Sequence, residues 1–65
     1  MKPNEIRAAL LLLNVRPAEI AKRLKVSRAA VSSVISGNLK SARIQEAIAN
    51  IIGKKIEEIW PEMAA

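Results

Sequence analysis

Arg28, Ser32, Ser33 and Ser36 crowd into one short stretch, with Ser27 just before them and Ala29 among them. A hydroxyl offers one donor and two acceptor lone pairs, and a guanidinium offers a planar fork of donors. Side chains of these kinds hydrogen-bond to polar or anionic partners. For a serine to attack a bond it needs a base, and the chain has no His to supply one. It has no Cys either, so a thiol nucleophile, a disulfide framework and a zinc finger are excluded. All six acids are Glu, and only Glu and Lys remain as ordinary acid–base groups. Glu57 and Glu58 lie in the acidic closing part of the chain and read as surface rather than as a catalytic carboxylate pair. The expectation is a protein that binds and does not catalyse, with no metal and no cofactor.

The charge has a direction. Residues 1–45 hold nine basic side chains (Lys2, Arg7, Arg16, Lys22, Arg23, Lys25, Arg28, Lys40, Arg43) against Glu5 and Glu19, a net of +7. Residues 46–65 hold Lys54 and Lys55 against Glu46, Glu57, Glu58 and Glu62, a net of −2. A positive field gathered around the serine-rich stretch points to a polyanion. At 65 residues the chain has the size of one domain. A domain so small buries only about 60% of its unfolded surface, so association with a second copy would help it. No apolar run approaches the ~20 residues that span a bilayer, and Leu10 to Leu13 is too short for a signal peptide. The expected location is the cytoplasm, with no membrane partner.

The elements that must position these residues read as helices, with no strand-like alternation. Pro3 or Asn4 starts the first, with Asn4 suited to capping and Glu5 to the first turn. Ile6, Ala9, Leu10 and Leu13 form its apolar stripe, while Leu11 and Leu12 fall outside it. Pro17 opens the second helix and breaks the chain after Asn14. Ile20, Ala21 and Leu24 face inward from it. Ser27 caps the third helix through the amide of Ala29 or Ala30. Val31, Val34 and Ile35 face inward, and Gly37 ends the helix. Ser41 caps a fourth helix with Ile44, Ala47, Ile48 and Ile51 inward, and Gly53 ends it. Lys55 to Ile59 forms a last turn, stopped by Trp60-Pro61. The links are short and leave no room for a linker, repeat or low-complexity segment.

Residues 17–36 fit a helix-turn-helix, two helices joined by a short turn. Ala21 is the small residue at the helix crossing, Val26 plugs the turn, and Val31 with Val34 hold the second helix on the first. Ser27, Arg28, Ala29, Ser32, Ser33 and Ser36 are left facing outward, with no acid among them.

With these positions filled, Pro17-Ala-Glu-Ile-Ala-Lys-Arg-Leu-Lys-Val-Ser-Arg-Ala-Ala-Val-Ser-Ser-Val-Ile-Ser-Gly37 resembles the lambda-repressor-like helix-turn-helix family of phage repressors and Cro proteins. The ending Ile51-Ile-Gly-Lys-Lys-Ile-Glu-Glu-Ile-Trp-Pro61 is similar to that of the small Ner-like phage and prophage regulators. Lys25 stands where the family usually has Gly at a left-handed turn position, and Pro17 replaces a polar residue that touches phosphate. The resemblance implies a compact all-α, five-helix, lambda-repressor-like DNA-binding domain over residues 1–65.

It also implies roles for the outward residues. The third helix of such a domain lies in the major groove with its first residues at the base edges. Arg28 is then the main reader, since its fork matches O6 and N7 of guanine, worth about 1–3 kcal/mol. Ala29 packs on a thymine methyl, and Ser32 and Ser33 make short hydrogen bonds. Arg16, Lys25, Ser27, Ser36, Asn38, Lys40, Ser41 and Arg43 set the docking on phosphates. Two copies would read half-sites about 34 Å apart. The dimer surface is expected in the fourth-to-fifth helix region, at Ile52, Ile56, Ile59, Trp60 and Met63, with Leu11 and Leu12 as the rival surface. Trp60 reads as a cap over the fourth helix, in the core or at that interface. The implied function is a homodimeric transcriptional repressor of phage or mobile-element type on an inverted-repeat operator, without a small-molecule effector. Its target would be its own promoter or a neighbouring operon such as an anti-CRISPR operon. The rival readings are a protein-interaction module, such as an antitoxin or adaptor, and an architectural or RNA-binding protein.

Overall fold

In the computed structural model the described residues are 1–61. Among them are five helices and no strand: α1 (Pro3–Leu12), α2 (Pro17–Leu24), α3 (Arg28–Ile35), α4 (Ala42–Ile52) and α5 (Ile56–Ile59). The radius of gyration is 10.4 Å, against about 11 Å for a folded chain of this length.

Local chemistry accounts for most of the boundaries. Pro3 occupies the first position of α1, where its fixed φ suits the helix and its missing N–H costs nothing. The cap is therefore Lys2, whose N–H donates to Glu5 Oε1 at 2.7 Å. Asn4, expected as the cap, lies inside the first turn instead. Ser27 caps α3 as expected, its Oγ accepting from the Ala30 amide at 3.0 Å. Ser41 holds the cap position of α4 but makes no side-chain capping bond. Its backbone alone serves, the Ser41 carbonyl accepting from Gln45 N at 2.9 Å.

Four helices end alike. Asn14, Lys25, Gly37 and Gly53 each take positive φ, at 58°, 58°, 82° and 82°. The residue after each donates back across the last turn: Val15 N to Leu10 O, Val26 N to Ala21 O, Asn38 N to Ser33 O and Lys54 N to Ala49 O. This closure satisfies the orphan carbonyls of a helix end. Lys25 alone has neither the missing Cβ of Gly nor the short polar side chain of Asn, and its left-handed backbone costs about 1 kcal/mol. It is the position the resemblance marked as departing from Gly.

Every helix contributes to one core. Ile6 and Leu10 of α1, Ile20 and Ala21 of α2, Val31, Val34 and Ile35 of α3, and Ile44, Ile48 and Ala49 of α4 are buried. Ile59 of α5 and Trp60 complete it. Val26 packs half-buried against this cluster at the turn, as do Leu24, Ala47 and Ile51. Gln45 is buried as well. Leu13 falls outside the stripe it was assigned to: α1 ends at Leu12, and Leu13 is half exposed.

Two dimer candidates change place. Ile59 is fully enclosed and Trp60 is 5% exposed, so both belong to the core and not to an outer surface; for Trp60 this is the core place, one of the two expected for it. The reason is tertiary: α5 folds back on α4, and the Met1 amino nitrogen donates to the Ile59 carbonyl at 2.8 Å. The Trp60 indole Nε1 is enclosed and has no hydrogen-bond partner among the described residues. Ile52 and Ile56 are half-buried against the core, and Met63 lies outside the described residues.

Candidate nucleic-acid interface

The α2–α3 pair is the most extensive helix–helix packing in the molecule. Burial of Ile20 and Ala21 against Val31 and Val34 fixes the two helices back to back. Residues 25–27 join them, and the left-handed Lys25 reverses the chain between them. The outer side of α3 then follows from its spacing. Arg28, Ala29, Ser32 and Ser36 are exposed, and Ser33 is half-buried.

The first turns of α2 and α3 meet at an open depression. Arg16, Pro17 and Ala18 line one wall, and Arg28, Ala29 and Ser32 line the other. Three expected contact residues, Arg28, Ala29 and Ser32, are thus brought together with Arg16, the first phosphate candidate. The backbone there adds to the field, because helix N-termini carry partial positive charge and free N–H groups. Pro17 removes one of those donors on α2. On α3 the Ser27 hydroxyl accepts from an amide, so its own O–H remains able to donate outward.

The other phosphate candidates surround this face less tightly. Lys25 is exposed on the turn, and Asn38 and Lys40 are exposed in the link between α3 and α4. Ser41 is half-buried. Arg43 has a structural engagement that its sequence position did not announce. Its Nη2 donates to the Leu24 carbonyl at 3.0 Å, tying the first turn of α4 to the end of α2. A guanidinium keeps further donors after one such bond, so Arg43 is a tether with spare donors.

Arg7 is the side chain that sequence reasoning missed. From α1 its Nη2 lies 3.4 Å from Ser32 Oγ and 3.4 Å from Ser36 Oγ, on the outer side of α3. Its only sequence signal is charge, because its partners lie 25 and 29 positions away. Together Arg7, Arg16, Lys25 and Arg28 put four cations on or beside this face. Of the two acids in the first 45 residues, Glu5 is held at the start of α1 and Glu19 lies against the α2–α4 groove with Arg23.

At the end of α1 the surface is of another kind. Leu11, Leu12 and Leu13 are 73%, 84% and 50% exposed. Val15 follows them and lines the α2–α4 groove with Ile20, Leu24, Ala47 and Ile51.

Among the described residues no group of His, Cys, Asp and Glu could hold a metal ion, and no helix is long and apolar enough to cross a membrane. Compared with protein-family models, with curated proteins and with solved structures, the chain matches none.

Proposed function

We propose that the chain is a sequence-specific DNA-binding transcriptional regulator with a lambda-repressor-like helix-turn-helix at residues 17–36. The observation that carries this reading is the exposed surface on which Arg16, Arg28, Ala29 and Ser32 converge, with further cations around it. An α-helix fits the major groove of B-DNA. With α3 seated there, Arg28 reads a guanine, Ala29 meets a thymine methyl and Ser32 bonds to a base edge. Arg16, Lys25, Asn38 and Lys40 hold phosphates on either side, each adding about 0.9 to the salt slope of binding. Ser33 is half-buried and contributes less than the exposed Ser32.

The working form in this proposal is a homodimer on an inverted-repeat operator. With Ile59 and Trp60 in the core, the exposed Leu11 and Leu12 are the foremost candidates for the contact between copies. The proposal extends to repression by occupancy in a bacterial cytoplasm, on a phage, prophage or other mobile element. The controlled unit would be the chain's own promoter or a neighbouring operon such as an anti-CRISPR operon. No chemistry, cofactor or effector is required of such a protein.

The test is selection of bound sites from a random duplex pool, followed by fluorescence anisotropy on the selected duplex. An inverted repeat, bound at least a hundredfold more tightly than random DNA at moderate salt, is the expected result. Equal binding of selected and random duplexes would sink the proposal. The exposed leucines favour one second reading, a protein-interaction module such as an antitoxin or adaptor. In that case the chain binds no duplex, and Arg28 is a solvated surface side chain.

A further inference from the structure

We propose that Arg7 is a positioning residue that biases the hydrogen-bonding sense of the α3 serines, so that Ser32 and Ser36 present donors to a duplex in preference to acceptors. The proposal rests on the DNA-reading function above. It comes from three side chains on two helices. Ser32 and Ser36 stand one turn apart on the outer side of α3, and both are exposed. Arg7 reaches across from α1 and places one nitrogen, Nη2, 3.4 Å from each hydroxyl oxygen.

A guanidinium has donors and no acceptor, so toward Arg7 both serine oxygens can only accept. Each hydroxyl carries a single proton, which is left to point elsewhere, and one remaining lone pair, which is a weaker acceptor because the oxygen already faces a cation. A hydroxyl that accepts from a cation is also polarised into a stronger donor. Ser32, otherwise free to serve as donor or acceptor by rotating its proton, is thereby biased to one sense. At the base edges it favours acceptors: O6 and N7 of guanine, N7 of adenine and O4 of thymine. It disfavours cytosine N4, a donor. Ser36, at the C-terminal end of α3, presents its proton to a phosphate oxygen by the same logic.

This role separates Arg7 from a plain phosphate contact. A phosphate contact adds affinity evenly over all sequences. A polarity-setting residue changes which base is tolerated at one position of each half-site. That position is identified independently, as the one whose preference responds to Ser32→Ala.

The experiment compares sites selected from a random duplex pool by the unaltered chain and by Arg7→Met, Arg7→Lys, Ser32→Ala and Arg7→Met with Ser32→Ala. Circular dichroism melting confirms that each variant is folded. At the Ser32-dependent position the unaltered chain disfavours cytosine, and Arg7→Met relaxes that bias by about fivefold, the worth of one ordinary hydrogen bond. The other positions keep their preferences. Arg7→Lys, which keeps a cationic donor, restores part of the bias. Adding Arg7→Met to Ser32→Ala changes the preference at that position no further. The proposal is overturned if Arg7→Met weakens selected and random duplexes alike, lowering the salt slope by about 0.9 and leaving every base preference intact. It is also overturned if the two substitutions act additively. Failure of the unaltered chain to select any site would instead remove the DNA-reading function itself, and shows before any substitution is compared.

Discussion

The outer side of α3 and the last turn of α1 are both exposed, and chemically they are opposites. On α3, Arg28, Ser32 and Ser36 are exposed and polar, and water together with the neighbouring Arg7 satisfies them. On α1, Leu11 and Leu12 hold branched aliphatic groups in water at 73% and 84% exposure, where hydration disfavours them. Neither surface is required by the core, which α1 already serves through Ile6 and Leu10. The polar face is stable alone and gains by meeting charge. The apolar end gains by being covered. In the function proposed above, the difference would divide two jobs: one surface to read and one to join.

The largest expected effect separates the joining surface from the reading one. Leu11→Glu with Leu12→Glu places charge where a partner's apolar surface would come, and removes nothing from the core. In the proposed dimer, loss of the second copy would turn two-site binding into one-site binding. Affinity for an inverted repeat should fall by at least about a hundredfold, with the melting temperature at low concentration little changed. Sedimentation velocity should show a monomer. If the double variant stays dimeric and binds as before, the two jobs are not divided in this way.

Next in size is the proposed reading surface. Arg28→Ala removes the guanidinium from the wall of the depression that Arg16 shares. Specific affinity should fall by about 1–3 kcal/mol, and preference should relax at one guanine of each half-site. Random duplex should lose only one charge's worth of binding. Anisotropy titrations on both duplexes check this, and an equal loss on each would make Arg28 a phosphate contact.

A third substitution pulls stability and binding in opposite directions. Lys25→Gly relieves the left-handed backbone at φ 58° and should stabilise the fold by about 1 kcal/mol. Glycine's greater freedom in the unfolded chain offsets part of that gain. The same change deletes an exposed cation beside α3, so the salt slope should fall by about 0.9. Urea denaturation and salt-dependent anisotropy read the two halves separately. A more stable protein with unchanged binding would place Lys25 outside the interface.

The parts of the fold legible in the sequence are those set by neighbours along the chain. Pro17, Ser27, Gly37 and Gly53 mark boundaries through φ, a missing N–H or a capping hydroxyl, all within one turn. The stripes Val31, Val34, Ile35 and Ile44, Ile48 follow from helical period alone. Where two local signals overlapped, one had to lose: Pro3 took the first helical position and moved the cap from Asn4 to Lys2. What could not be read are contacts made across the chain. Arg7 meets serines 25 and 29 positions away, and Arg43 meets a carbonyl 19 positions away. No local pattern encodes these. The burial of Ile59 is of the same kind, because α5 is a single turn whose apolar residues become core only when α4 is beside it, whereas Trp60 takes the core place that was one of its two expected ones.

The smallest expected effect tests that last assignment. Trp60 is a core residue whose indole Nε1 donor is enclosed without a partner among the described residues. Trp60→Phe loses apolar contact with the removed ring atoms, and at the same time removes a buried unsatisfied donor, which costs about 1–3 kcal/mol where it stands. The two terms oppose each other, so stability in urea, followed by circular dichroism, should change by less than about 1 kcal/mol. Trp60→Ala removes the whole ring system and should cost about 3–5 kcal/mol. Neither change touches Leu11 or Leu12, so at concentrations where the variants are folded sedimentation should show an unchanged oligomeric state. A Phe variant that melts as badly as the Ala variant would mean that the indole nitrogen is satisfied and holds Trp60 in place. A Phe variant that is fully folded but monomeric would return Trp60 to the joining surface, and the division between the two exposed regions would have to be redrawn to include α5.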